Sequence, residues 1–233
     1  MTRAQVMKEL KASGTAQNRK VYRQHGVVGE MFGVSYAALG KLRKTIKMDQ
    51  PLAEQLWTTG NQDARALSTM IADPGKIGAR TLDAWARDLD FRGMAAALSN
   101  VAAEAPSAKT HAEKWIASRH EMIGCAGWHT LASIARQDNG LPDAYFAKHL
   151  KTIESKIHSS RKWVKYAMNN ALISIGVRNP GLEKKAVAAA KRIGKVEVDH
   201  GETGCKTPEA AAYIKKTVAH YKKKKAKKIR KAG

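Results

Sequence analysis

The chain has 233 residues, with 42 Lys+Arg against 20 Asp+Glu, a formal net charge of +22 and a pI near 10.1. Residues 215–233 hold ten Lys/Arg and no acid, yet without them the body keeps 32 basic against 20 acidic side chains, a net +12. A body this basic in its own right points to nucleic acid first and an anionic membrane surface second.

The length allows a sizeable core, as one large domain or two small ones. Two cysteines, Cys125 and Cys205, are too few for a disulfide scaffold and read as free thiols in a reducing compartment. No run approaches the roughly 20 apolar residues of a membrane span. The N-terminus MTRAQVMKELKASG interrupts its apolar positions with Lys8 and Glu9 and lacks a signal-peptide core. The expectation is a cytoplasmic, nucleoid-associated monomer with no membrane contact.

Helix patterns follow one another along the chain. Residues 2–12 place Val6, Met7 and Leu10 on one face, ending at Gly14, and residues 19–25 form a second helix stopped at Gly26. Ser35 caps a helix through Ile46, with Leu39, Leu42 and Ile46 inward. Pro51 suits the first turn of a helix carrying Leu52, Leu56 and Trp57, and Asn61 caps the next, with Ala64, Leu67, Met70 and Ile71 as its stripe. Residues 81–88, 91–104, 108–119 and 121–137 continue the series. Pro142 then opens a helix with Phe146, Leu150 and Ile153 inward.

The most informative stretch is 161–179, RKWVKYAMNNALISIGVRN. Trp163, Val164, Ala167, Met168, Ala171, Leu172 and Ile175 form a broad apolar stripe. The other face carries Arg161, Lys162, Lys165, Asn169, Asn170 and Ser174, a basic and amide-rich surface suited to a polyanion. A helix over 182–193 follows, then a non-helical segment 196–207, then a last helix starting at Thr207-Pro208-Glu209 and carrying Ile214 and Val218. The Lys-rich end after His220 is expected to be disordered when free and to attract phosphates, or else to act only as a solvated tail.

Strand alternation is nearly absent, so the fold class is all-α. Helix pairs about 35–45 residues apart point to a HEAT-like α-solenoid of antiparallel pairs, with a compact irregular helical domain as the competitor. The expected organisation is a single DNA-binding domain over 1–214 and a basic C-terminal helix end and tail over 215–233.

Several stretches in order, FGVSYAALGKLRKTIK (32–47), LAEQLWTTGNQDARALSTMIADP (52–74), WARDLD (85–90), EKWIASRHEMIGCAGWHTLASIA (113–135) and the 161–179 segment, resemble the AlkD-like DNA alkylation repair family of HEAT-like repeat DNA glycosylases. The resemblance covers about residues 27–216. It implies a basic concave cradle for duplex DNA and removal of cationic N3- or N7-alkylated purines without a base-flipping pocket. Cleavage of such a base develops oxocarbenium character on the sugar, which aromatic faces and a carboxylate stabilise. The family accordingly uses a Trp, an Asp four residues later, an Arg on the next helix pair and a second Trp.

This chain departs at each of those places. Where members read D-x-D-S-W-D-x-x-D, it reads Asp88-Leu89-Asp90-Phe91-Arg92-Gly93-Met94-Ala95-Ala96. Arg92 falls at the Trp and Ala96 at the Asp. Cys125, in Gly124-Cys125-Ala126-Gly127, falls at the Arg of R-R-A-G. Asn170, in Asn169-Asn170-Ala171-Leu172, falls at the Trp of N-W-A-L.

Trp85 with Asp88, or Asp90, is the nearest remaining Trp–carboxylate pair, read either as a shifted catalytic pair or as a core Trp beside helix-end charges. Arg92, with its like charge, fits a phosphate contact better than a sugar cation. Asp199, His200, Glu202 and Cys205 crowd the 196–208 loop, read as a metal or Cys–His site or as a turn tying down the last helix; the turn is preferred and no metal or cofactor is expected. Trp57, Trp115, Trp128 and Trp163 are expected in the core. The expected DNA contacts are Arg92, Arg119, Arg161, Lys162, Lys165, Asn170 and Arg178, with duplex, damaged or branched DNA as partner. The competing functions are an active N3/N7-alkylpurine glycosylase using Trp85 and Asp88 or Asp90, and a protein–protein or RNA-binding scaffold.

Overall fold

A computed structural model describes residues 1–137 and 140–232, with side chains through Lys224. Among the described residues there are thirteen helices and no strand, and an isolated bridge joins Gly14 to Val34. The helices are α1 (Arg3–Ser13), α2 (Ala16–Gln24), α3 (Tyr36–Ile46), α4 (Gln50–Trp57), α5 (Gln62–Ile71), α6 (Ala79–Arg87), α7 (Arg92–Glu104), α8 (Ala108–Ile116), α9 (Glu121–Ala135), α10 (Asp143–Lys156), α11 (Lys162–Gly176), α12 (Pro180–Ile193) and α13 (Ala210–Ala232).

Their starts follow local chemistry. Thr2 and Gln5 form a capping box on α1, and Ser35, Asp49, Asn61 and Asn179 each accept a backbone N–H of the helix they open. These side chains satisfy donors that a helix N-terminus leaves without intrahelical partners. The last helix runs to Ala232, through the Lys-rich end after His220 that its composition marks as disordered when free, because its Ala- and Lys-rich sequence has high helix propensity.

The chain forms two compact units, Met1–Thr130 with His200–Cys205, and Leu131–Asp199 with Lys206–Gly233. In the first unit, α5 packs on α3, α4 and α7, and α7 also packs on α6 and α8. Its core includes Leu56, Trp57, Leu67, Trp85, Leu98 and Trp115. In the second unit, α10, α11, α12 and α13 pack together around Phe146, Ile153, Met168, Leu172, Ile175, Ala186 and Ile214.

Two glycines permit close approaches. A Cβ on Gly127 of α9 would strike the backbone of Trp115 and Ile116, and one on Gly176 of α11 would meet Ile214 and Ala186. Both sites therefore exclude any larger side chain unless the helices separate.

Candidate nucleic-acid interface

Within the first unit, Trp57 of α4 and Trp85 of α6 stack at 4.3 Å with 5° between their planes. The Trp57 indole N–H donates to Asp88 Oδ2 at 2.9 Å. Arg65 lies over the Trp57 ring at 5.2 Å and its guanidinium is 3.5 Å from Asp88. Trp85 is only 3% exposed, so its indole offers no face to a sugar. Asp90 accepts from Gln62 Nε2 at 2.6 Å. Trp85 is thus packed in the core, and Asp88 and Asp90 each hold a neighbouring side chain by a hydrogen bond.

A second indole–carboxylate tie repeats the pattern. Trp115 Nε1 of α8 donates to Asp83 of α6 at 3.0 Å, and Lys114 donates to the same carboxylate at 2.6 Å. Burial pushes the Asp83 carboxyl upward, but these hydrogen bonds outweigh it and hold it below the usual carboxylate value.

Asp63, near the start of α5, is buried and accepts the backbone N–H groups of Phe32, Gly33 and Val34 at 2.6, 3.0 and 2.9 Å. It thereby fixes the strap leading into α3. Tyr22 of α2 donates to Val34 O at 2.7 Å. Between the strap, α2, α3, α5 and the start of α7 lies a cleft of about 320 Å³, lined by Tyr22, His25, Tyr36, Gln62, Phe91 and Arg92 among others.

Arg92 opens α7, and its guanidinium donates to Cys205 Sγ at 3.6 Å. His25 Nε2 lies 4.0 Å from the same sulfur. The 200–205 segment therefore belongs with the first unit, whereas Asp199 pairs with Lys162 in the second at 3.2 Å. Asp199 and Cys205 thus face different cations. Hydrogen bonding with Thr203 holds the exposed Cys205 thiol below its ordinary value against a small opposing effect of burial, and Arg92 adds to the lowering. Cys125 is the opposite case: burial, then Glu121, pushes it up to about 12, so it is an inert core thiol. Arg119 and His120 are exposed just before α9.

In the second unit, Arg161 and Lys162 are exposed at the start of α11, and Lys165 and Asn170 are half-buried along it. Met168 and Leu172 are buried as expected. The polar face differs from the reading of its sequence. Asn169 is fully buried and donates to Pro208 O at 3.0 Å, and buried Ser174 accepts from Arg136 at 2.8 Å. Both are polar because a neighbouring segment needs a hydrogen-bond partner there. Trp163 is half-buried in the first turn of α11, under the Lys162 ammonium at 4.8 Å.

Arg178 also departs from the expected DNA contact. Its guanidinium donates to Ala135 O at 3.1 Å and Gln137 O at 2.6 Å, lies 4.6 Å over the Phe146 ring, and its side chain is 14% exposed. It closes the C-terminal carbonyls of α9, which have no intrahelical donors. The Asp63 strap, the cleft and the Arg92–Cys205 contact had no sequence signal, because their partners lie far apart along the chain.

These features define an all-helical protein built from paired helices, with exposed cations on several of them. A family model described as "DNA alkylation repair enzyme" matches residues 6–214, and the chain belongs to that family. It is 28% identical over 216 residues to an uncharacterized protein of Listeria innocua, covering 89% of this chain and 93% of that one. It is also 28% identical over 218 residues to an uncharacterized protein of Listeria monocytogenes, with the same coverage. A solved structure described as "a new family of proteins related to the HEAT-like repeat DNA glycosylases with affinity for branched DNA structures" superimposes with a TM-score of 0.86. The identity is 32%, over 94% of this chain and 95% of that one. The architecture is HEAT-like. Among the described residues, no helix is long and apolar enough to cross a membrane.

Proposed function

We propose that this protein binds branched or otherwise distorted DNA through its exposed cations and does not itself cleave a glycosidic bond. The observation that carries the binding half is the close structural neighbour with affinity for branched DNA, joined to the net charge of +22. Exposed Arg119, Arg161 and Lys162, half-buried Lys165 and Asn170, and Arg92 supply phosphate and groove contacts, and the basic segment 215–233 adds to them. Phosphate contacts give affinity and register rather than base sequence. The protein acts as a cytoplasmic, nucleoid-associated monomer, with RNA as a weaker competing ligand.

The chemistry half rests on the residues at the family's working positions. Arg92, Ala96, Cys125 and Asn170 stand there, and Cys125 is a buried neutral thiol. None offers an aromatic face or a carboxylate to an oxocarbenium-like sugar. Trp85 and Asp88 are engaged with Trp57 and Arg65, which argues against their use as a shifted pair. Incubation with methylated duplex DNA should release 7-methylguanine and 3-methyladenine at the spontaneous rate only. Faster release that Asp88→Asn or Asp90→Asn abolishes would establish the glycosylase reading instead.

A further inference from the structure

The cleft in the first unit sits at the lower end of ligand-site volumes, which run about 300–1,000 Å³. Its aromatic side chains are Tyr22, Tyr36 and Phe91. Tyr22 is anchored by its bond to Val34 O, and Tyr36, 58% exposed, lines the cleft with part of its ring open to solvent.

Gln62 supplies the polar anchor. The residue is 5% exposed and lines the cleft, and its Nε2 is bound to Asp90 at 2.6 Å, which fixes which end of the amide is oxygen. The Oε1 atom is buried with no hydrogen-bond partner. A buried acceptor in that state carries a free-energy penalty that an incoming N–H removes. Arg92 and His25 also line the cleft and suit a nearby phosphate.

We infer that this cleft holds one unstacked nucleobase from a DNA branch point. The base stacks against Tyr36 and Phe91 and donates an amino or imino N–H to Gln62 Oε1, while Arg92 meets the adjoining phosphate. The inference rests on the branched-DNA reading above and names what is recognised at the branch. Where a branch point carries an unpaired nucleotide, little of the unstacking cost is left for the protein to meet. Aromatic rings accept the π-face of any base. The lone acceptor then favours bases whose accessible edge carries a donor. An acyl chain would fill the apolar walls but leave Gln62 Oε1 unsatisfied.

The test uses the full chain and a three-way junction with one unpaired nucleotide at the branch, carrying adenine, purine without the amino group, or an abasic sugar. Fluorescence anisotropy should show adenine bound about tenfold tighter than the abasic junction, with purine between them. Tyr36→Ala, at an exposed site and checked for helicity by circular dichroism, should bring the adenine junction down to the abasic affinity and leave the abasic affinity unchanged. Gln62→Met should abolish only the adenine–purine difference. Equal wild-type affinity for all three junctions, each still preferred over plain duplex, would overturn the base cleft and leave the branched-DNA reading standing. Failure to prefer any junction over duplex would overturn that reading, and the inference with it. An equal loss by Tyr36→Ala on adenine and abasic junctions would show Tyr36 gripping backbone and also overturn the cleft.

Discussion

Replacing Asp63 by alanine should be among the most damaging single changes in the first unit. Its carboxylate accepts three consecutive backbone N–H groups from Phe32, Gly33 and Val34, and two of those bonds are fully buried. A buried donor left without a partner costs about 1–3 kcal/mol. Water entering the space left by the carboxylate recovers part of this at Phe32, whose bond is only part-buried. The net loss should therefore be about 3–5 kcal/mol, a large share of the roughly 5–15 kcal/mol that holds a typical domain. Asp63→Asn keeps one acceptor oxygen but turns an amide toward the N–H row, and should lose about half as much. Urea denaturation followed by circular dichroism reads both values. Amide exchange at Phe32–Val34 should accelerate in parallel, because these N–H groups lose their acceptor, and Tyr22, anchored on Val34 O, loses its footing when the strap loosens. A loss below about 1 kcal/mol for Asp63→Ala would refute the reasoning, since it would mean that the strap finds other acceptors at no cost.

The Asp83 carboxyl is held low in the folded state by Lys114 and Trp115. Its stabilisation is complete above the ordinary value of 3.8 and fades as pH falls through the lower folded value; urea midpoints of wild type and Asp83→Asn should differ at neutral pH and converge near the acid limit. Thiol titration with a chromogenic disulfide should find Cys205 reactive at once and Cys125 only after unfolding, given its exposure and the about 12 of the buried thiol. Arg92→Gln should shift the onset of Cys205 alkylation to higher pH, because it removes the guanidinium that favours the thiolate. Gly127→Ala should destabilise by about 3 kcal/mol, at the top of the overpacking range, because the new methyl meets the backbone at Trp115–Ile116. Gly40→Ala, where a Cβ meets nothing in α3, should instead stabilise by about 0.5–1 kcal/mol. Thermal melts separate the two.

Local pattern is enough to place the helices, because caps such as Ser35, Asn61 and Asn179 each accept a backbone N–H no more than three residues ahead. It carried the all-helical class and most of the core. It misjudged polar residues whose partners come from other segments. Asn169 and Ser174 look like a solvated face of α11, but Pro208 and Arg136 make them interior. Arg178 looks like a DNA contact, but the carbonyls closing α9 claim it. The cleft was illegible for the same reason. Its walls come from residues 21 to 94, and no local spacing marks Gln62 as an acceptor left without a donor.

Affinity of the intact protein for a four-way junction and for a matched linear duplex, measured across a salt series, tests the central claim most directly. A DNA-branch binder should prefer the junction at every salt concentration, with log affinity falling steeply as log salt rises. Charge-neutralising Arg161→Gln, Lys162→Gln and Lys165→Gln together should reduce that slope by up to about 0.9 for each phosphate contact removed. Equal affinity for junction and duplex, or binding that does not change with salt, would contradict it.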